Sequence, residues 1–193
     1  LVRFREGEPH VDTARRVGFT YRSNELLFEG PNRFISSRRE IELRLKQSYD
    51  DHSLFRLYSL TYPNEVRLLS GVTFDQWTSS LESNRGITRE FVYEEGGDVQ
   101  AWVKTSKRSN IGQLSIMVGP KVKNSLSEII DFGLDQLWDV NTVQCLVSNH
   151  QLLLQRLLPQ RGLEVVGEYV TLSKTMVAPV VKEIVGRAVP TTM

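Results

Sequence analysis

The chain has 193 residues and a formal net charge of +1, with 40% hydrophobic and 24% charged residues. This composition is typical of a globular protein with one or two domains, and the near-neutral charge gives no indication of a nucleic-acid partner. No apolar run approaches the roughly 20 residues of a membrane-spanning helix. The single cysteine, Cys145, excludes an internal disulfide. We therefore expect a cytoplasmic location, where thiols stay reduced, and neither nucleic acid nor a membrane span.

The first part of the chain predicts a strand, a helix and a return strand. "LVRFRE" is strand-like, a helix is expected from about Pro9 to Val17, and a second strand covers "NELLFEG". The same order recurs in "VQCLVSNHQLLLQRLLPQRGLEVVGEYVTLSK" when Gly18 is aligned with Gly162. We interpret the first segment as the back end of an upstream repeat, and the chain, which starts at Leu1, as a fragment. Chance similarity of two short segments is the alternative.

The next segment predicts one strand and two helices. "REIELRLKQS" places Ile41, Leu43 and Leu45 on one face and charged residues on the other, which indicates a half-buried strand. "DDHSLFRLYSLTYP" has apolar residues at helical spacing and ends at a proline. "TFDQWTSSLES" begins with Thr73 and Gln76 at the spacing of a capping box, so it predicts a second, short helix.

A hairpin and a central strand are predicted after these helices. In "TREFVYEEGGDVQAWVKTS", two runs of strand-forming residues flank Gly96 and Gly97, which is typical of a β-hairpin. "GQLSIMV" ends in continuous apolar residues, as expected of a strand covered on both faces. We expect this central strand to pair antiparallel with "VQAWVKT".

The last elements predict a strand–helix–strand unit. "SLSEIIDFGLDQLW" has an apolar stripe at helical spacing, and Ser125 and Glu128 are predicted to form its capping box. "TVQCLVSN" is a buried strand, expected to lie parallel to "GQLSIMV" through a right-handed crossover. "HQLLLQRLLPQRG" predicts a helix ending near Pro159 and Gly162, and "LEVVGEYVTLSKTM" one bent strand or two short ones.

These elements predict an α/β fold, with a mixed, mostly antiparallel sheet and helices on both of its faces. An upstream remnant, a linker, a main domain and a tail are expected over residues 1–31, 32–37, 38–178 and 179–193.

The element order resembles the GNAT superfamily of acyl-CoA-dependent N-acyltransferases. The resemblance is carried by "GQLSIMVGP" as the central strand, by the helix after it, and by "VQCLVSNHQLLLQRLLPQRGLEVVGEY" as the next strand, helix and Gly-apolar turn. "ARRVGF" near the start resembles the same turn, which suggests a tandem GNAT arrangement. The resemblance implies that the two parallel strands splay apart at their C-terminal ends, and that acetyl-CoA is the cofactor, with no metal.

GNAT domains bind the CoA pyrophosphate at backbone amides of a loop patterned R/Q-x-x-G-x-G/A, where free N–H groups and the helix dipole attract an anion. The corresponding loop here is "KVKNSL", in which side chains replace both glycines and crowd a pyrophosphate. The lysines offer positive charge. We expect weak acetyl-CoA binding, with a Kd near or above roughly 1 mM. The implied cofactor-binding residues are Met117, Val118, Lys121, Val122, Lys123, Asn124, Ser125 and Leu126.

No catalytic residue is identified. The family places a tyrosine four residues before the Gly-apolar turn to protonate the leaving thiolate, but those positions hold Leu158 and Ala14. Glu94 and Glu95 are candidate bases that are more typical of a solvated hairpin tip. Cys145 lies in a buried-strand pattern and is expected to be a core residue. The three histidines lack the spacing of a metal site.

Two functions therefore stay open from the sequence. The first is a degenerate GNAT-fold protein, a pseudoenzyme that binds a protein partner, forms a homo-oligomer or serves as a structural subunit. The second is an active N-acetyltransferase that acts on an amine and uses Lys121, Lys123 and backbone amides to hold CoA. The missing glycines and tyrosine favour the first function, whereas the family resemblance alone favours the second.

Overall fold

The computed structural model describes residues 2–33, 40–61, 72–81, 86–122 and 125–174. The linker beyond residue 33 and the predicted tail over 179–193 lie outside these residues. The strands, numbered in chain order, are β1 (Val2–Arg5), β2 (Thr20–Pro31), β3 (Arg44–Leu45), β4 (Ile87–Glu95), β5 (Asp98–Arg108), β6 (Ile111–Val118), β7 (Thr142–Ser148) and β8 (Glu164–Ser173). The α-helices are α1 (His10–Arg16), α2 (Asp51–Thr61), α3 (Phe74–Ser80), α4 (Leu126–Asp135) and α5 (Leu152–Leu157).

The eight strands form one mixed sheet in the order β1-β8-β2-β7-β6-β5-β4-β3. β6 and β7 are parallel, and the other neighbouring strands in the described residues are antiparallel. β5 and β6 pair from Ala101 with Val118 to Arg108 with Ile111, so the predicted central strand and its antiparallel neighbour are confirmed. None of the described helices is long and apolar enough to cross a membrane.

Helices cover both faces of the sheet, as predicted. Alternation along β5 places Val103 in the core beneath α4 and α5, and Trp102 in a second core beneath α2 and α3. The predicted capping box of α3 is present: Gln76 N donates to Thr73 Oγ1 at 3.3 Å, and Thr73 N donates to Gln76 Oε1 at 3.1 Å. The described part of the chain therefore has the predicted α/β architecture.

The parallel pair separates towards its C-terminal end. β6 and β7 are paired from Ile111 with Thr142 to Leu114 with Cys145, and the pairing ends there. The rest of β6, as far as Val118, remains paired with β5 only. β7 is paired with β2 along its whole length, including the part beyond Cys145. The divergence opens a gap between the ends of β6 and β7.

β2 fills the space between β7 and β8 with a symmetric register. It pairs with β8 on both sides of the Glu25–Tyr169 pair, and each strand carries one irregularity, at Arg22 in β2 and at Val166 in β8. β1 pairs with the outer edge of β8, just as β7 pairs with the outer edge of β2. The units β1–α1–β2 and β7–α5–β8 are thus arranged about a local pseudo-twofold axis.

Two local predictions are wrong. The strand expected over "REIELRLKQS" is limited to Arg44–Leu45, because the amides of Glu40 and Ile41 donate to Glu128 Oε2, at 2.7 and 3.2 Å, instead of to a neighbouring strand. The same contact removes Glu128 from the predicted capping box of α4. Ser125 has helical backbone angles (φ −92°, ψ −1°), whereas a capping serine needs extended backbone, and its side chain makes no capping bond.

Candidate functional site

Two cavities meet at the gap between β6 and β7. The first, which we call the splay cavity, has a volume of about 190 Å³ and lies between the end of β6, the start of α4 and the start of α5; it is lined by Val118, Gly119, Leu126, His150, Gln151 and Leu153, among others. The second, which we call the polar chamber, has a volume of about 220 Å³ and is lined by residues of α2, α3 and the sheet, including Arg3, Arg22, Glu25, Tyr58, Trp102 and Lys104.

Gln151 lies between the two cavities and lines both of them. Its Nε2 donates to the carbonyl oxygen of Ile116 on β6 at 3.2 Å, and its Oε1 accepts from the amide of Ser148 on β7 at 3.2 Å. One side chain therefore joins the two strands at the point where their own pairing has ended. Gln151 therefore lies where a ligand that extends from the splay cavity into the polar chamber would pass.

The residues predicted to bind the cofactor lie in different environments. Val118 and Leu126 line the splay cavity, whereas Met117 lines the polar chamber. Lys121 is exposed on a short 3₁₀ turn. Val122 is only 3% exposed and packs in the main core with Leu126, so its side chain faces away from solvent.

The N-terminus of α4 borders the splay cavity. Because the Ser125 hydroxyl does not cap the helix, it does not occupy the amide donors of the first turn. The first turn is fixed from the other side by Arg161, whose Nη2 donates to the carbonyl oxygen and the hydroxyl of Ser127, at 3.0 and 2.7 Å, and whose Nε pairs with Asp131. Lys123 and Asn124, also predicted to bind the cofactor, lie outside the described residues.

Neither position of the family tyrosine can transfer a proton. Leu158 is fully buried in the main core and Ala14 is 7% exposed in a small separate cluster. Cys145 is also buried, and burial raises the pKa of its thiol to about 12, which makes it an unreactive core residue, as expected. Glu94 pairs with Arg44 at the hairpin end. No group of acidic, histidine or cysteine residues in the described ranges is arranged to hold a metal ion.

His150 is a candidate base. From the sequence we considered it only as a metal ligand. It lies two residues after the end of β7, is half-buried, and lines the splay cavity. Burial lowers the pKa of its imidazole, with Glu25 acting in the opposite direction, so the ring is neutral at pH 7 and able to accept a proton. Its position in the turn after a strand that ends at the gap is the signal that could have identified it.

The polar chamber was not predicted from the sequence. Arg3 Nε donates to Glu25 Oε2 at 2.7 Å, and the same oxygen accepts from Thr171 Oγ1 at 2.7 Å. On the opposite side, Arg22 Nη2 donates to Tyr58 Oη at 2.9 Å. These residues come from β1, β2, β8 and α2, which are far apart in the chain, so no local pattern brings them together.

Comparison with known proteins identifies the fold. No protein-family model matches the sequence, and no curated protein is significantly similar to it. Among solved structures, a functionally unknown conserved protein from Staphylococcus epidermidis ATCC 12228 aligns with a TM-score of 0.58 and 12% identity over 91% of this chain and 71% of that chain. A GCN5-related N-acetyltransferase from Sphaerobacter thermophilus aligns with a TM-score of 0.51 and 15% identity over 87% of this chain and 56% of that chain.

A putative acetyltransferase of the GNAT family from Novosphingobium aromaticivorans DSM 12444 gives a similar result. Its TM-score is 0.53 at 12% identity, over 82% of this chain and 69% of that chain. This chain has the GNAT fold. The sequence identity between this chain and these GNAT structures is low, so the similarity establishes the fold alone. The chemistry of the site must be inferred from the residues of this chain. The chain spans between 56% and 71% of the length of the three structures compared.

Proposed function

We propose that this chain is a non-catalytic GNAT-fold domain, which binds a ligand or a protein partner without transferring an acyl group. The observation that carries the proposal is the position of Gln151 across the gap between β6 and β7. An acyl donor held at the start of α4 reaches the polar chamber only through this gap. The side chain of Gln151 lies across that gap and donates to the carbonyl oxygen of Ile116, which supports a closed path.

The chemistry of the neighbouring positions supports the same conclusion. Buried aliphatic residues, Leu158 and Ala14, take both positions at which the family resemblance implies a proton donor. The loop before α4 carries Asn124, and either Ser125 or Leu126, where the family pattern has glycines. The amides of the first turn of α4, which Ser125 leaves uncapped, remain a weak attraction for an anion. We therefore expect weak binding of acetyl-CoA, with a Kd near or above roughly 1 mM.

Calorimetric titration with acetyl-CoA tests this proposal in three variants. The first is Gln151→Ala, which opens the gap. The second is Asn124→Gly combined with Ser125→Gly, which removes the crowded side chains from the loop. The third is a matched control, Gln155→Ala: this glutamine also bonds to β7, at 3.1 Å from the carbonyl oxygen of Ser148, but lines neither cavity.

Each outcome of the titration has a definite meaning. If the gap is the obstacle, Gln151→Ala binds acetyl-CoA at least about tenfold more tightly than the wild type, whereas Gln155→Ala does not. Tighter binding by the double glycine variant alone places the obstacle in the loop. Micromolar binding by the wild type contradicts the proposal and favours an enzyme.

The second candidate function is an active N-acetyltransferase that acts on an amine. His150 favours it, because a neutral imidazole beside the splay cavity is able to act as a base. In that case Lys121, Lys123 and the amides of α4 hold CoA, and Gln151 moves aside during turnover. Release of CoA thiol from acetyl-CoA in the presence of a panel of amines would reveal the activity, and His150→Gln would then reduce it without weakening acetyl-CoA binding.

A further inference from the structure

We infer that the polar chamber binds a small carboxylate ligand with an aromatic or apolar body, and that Arg22 selects the anion. The inference names the ligand class of the binding function proposed above, and therefore rests on it. It follows from three properties of the chamber: the β-bulge that directs Arg22 into it, the charged residues of its lining, and the apolar side chains on one side of its wall.

Arg22 reaches the chamber because of the irregularity in β2. The register with β8 shifts between Tyr21 and Ser23, so Arg22 is the extra residue of a β-bulge, a device that redirects a side chain out of the normal alternation. The guanidinium is then held by Tyr58, through the hydrogen bond to its hydroxyl at 2.9 Å and with its carbon 5.9 Å from the ring centroid. One face of the planar guanidinium group is thereby fixed at the wall of the chamber.

The charged side chains of the described lining are Arg3, Arg22, Lys104 and Glu25. Glu25 Oε2 accepts from both Arg3 and Thr171. Lys104 is 7% exposed and lies opposite Glu90 on β4, which is outside the lining and accepts from Trp102 Nε1 at 3.1 Å.

The guanidinium of Arg22 donates to a neutral hydroxyl, that of Tyr58, whereas Arg3 donates to a carboxylate. A carboxylate on the ligand supplies a negative charge for Arg22, and a guanidinium is suited to bind it through two parallel hydrogen bonds.

One side of the described wall is apolar and aromatic. Trp77 and Trp102 are 3% and 9% exposed, and Met117 and Leu81 complete this side. The volume of about 220 Å³ is below the range of roughly 300–1,000 Å³ that is usual for drug-sized ligands. The chamber therefore suits a molecule of amino-acid size, with one carboxylate against Arg22 and an apolar body against the tryptophans.

Tryptophan fluorescence provides a direct test, because two tryptophans line the chamber. Trp138, which is 78% exposed, is replaced in all samples by Trp138→Phe to remove its signal. The probes are 3-phenylpropionate and its neutral isostere 3-phenylpropionamide. The variants are Arg22→Gln, the charge-preserving Arg22→Lys and, as a matched control, Arg16→Gln, which removes an exposed arginine of α1.

We expect the carboxylate to change the fluorescence saturably, and the amide to bind at least about tenfold more weakly. Arg22→Gln should weaken carboxylate binding by a similar factor, Arg22→Lys should retain part of it, and Arg16→Gln should behave as the parent. Equal binding of amide and carboxylate, unchanged binding by Arg22→Gln, or no saturable signal with the carboxylate up to about 10 mM would overturn the inference.

Titration of the same samples with acetyl-CoA separates this inference from the proposed function. Tight acetyl-CoA binding contradicts the non-catalytic assignment and leaves a carboxylate result standing. Weak acetyl-CoA binding together with a failed carboxylate test contradicts the ligand class alone.

Discussion

The units β1–α1–β2 and β7–α5–β8 share one backbone plan but differ in what they pack against. In each, a strand leads through a short helix to a glycine in the left-handed region, Gly18 or Gly162, and then to a long strand with one bulge. The helix of the second unit places Leu158 in the main core, whereas the helix of the first places Ala14 in a small cluster with Val170 and Leu172. The two units therefore share the same backbone arrangement although their side chains and their packing differ.

We propose that the two units are copies of one element, and that the first is the end of an upstream GNAT-like repeat. The support is the register of β2 with β8. A bulge at the same position of each strand, Arg22 and Val166, preserves the symmetry of the ladder about the Glu25–Tyr169 pair. Unrelated strands have no reason to match in this way. The predictions that follow test where the equivalence of the units holds and where it fails.

The largest difference is expected at the position four residues before the glycine. Leu158→Ala should lower the free energy of unfolding by about 3 kcal/mol, because it leaves a cavity in a fully packed core. Ala14→Gly, the matching truncation in the first unit, should cost about 1 kcal/mol, mainly through helix propensity. Urea unfolding measures both values. Equal costs would mean that the two helices are packed alike.

A second difference is expected where each long strand passes the glycine of the other unit. A Cβ at Gly30 would lie 2.0 Å from the carbonyl oxygen of Gly162, so Gly30→Ala should cost about 2 kcal/mol or more. At the matching position Lys174 is tolerated, and its Nζ donates to the carbonyl oxygen of Val17 at 2.8 Å.

Lys174→Ala should therefore cost less than about 1 kcal/mol, because the lost hydrogen bond is exposed to solvent. Thermal unfolding of both variants gives the comparison. A mild effect of Gly30→Ala would show that the strand can move away from the turn.

The two glycines themselves should respond alike. Gly18 and Gly162 have φ values of +89° and +77°, in the region that side chains disfavour, and a Cβ at either one meets nothing closer than 3.6 Å. Gly18→Ala and Gly162→Ala should each cost about 1 kcal/mol through backbone strain alone. Denaturant unfolding of the two variants measures both costs. A difference above about 1 kcal/mol between the two changes in unfolding free energy would argue against equivalent turns.

The smallest effect is expected from the pH dependence that His150 gives to the second unit. Burial lowers the pKa of His150 in the folded state below that of the unfolded chain. The unfolded chain therefore binds a proton first as the pH falls below about 6.5, and the folded state loses stability until the pH is below the folded pKa. His150→Gln should flatten the stability profile in this window. An unchanged profile would mean that another group titrates there.

Local patterns predicted the elements whose partners are close in the chain. The β4–β5 hairpin followed from Gly96 and Gly97, and the capping box of α3 from Thr73 and Gln76. The capping box of α4 failed because Glu128 bonds to amides nearly 90 residues away, near Glu40, a contact that no local pattern reports.

The site was less predictable than the fold, for the same reason. The role of Arg22 depends on a bulge that appears only when β2 meets β8. The local sequence indicates only that Gln151 lies at the start of a helix. Its hydrogen bonds to β6 and β7 exist only once the two strands diverge. The family resemblance predicted that Val118 and Leu126 bind the cofactor; both line the splay cavity, and their role stays a prediction.

The insertion of β2 between β7 and β8 also determines when the sheet can form. Glu25 pairs with Ser148 on one side and with Tyr169 on the other. The residues that pair with both edges of β2 therefore come more than 100 residues later in the chain. During synthesis β2 must therefore remain unpaired until β7 and β8 have left the ribosome, with its donors and acceptors open to other chains. Such distant pairing slows folding, and meanwhile it leaves this strand exposed to chaperones and to misassembly.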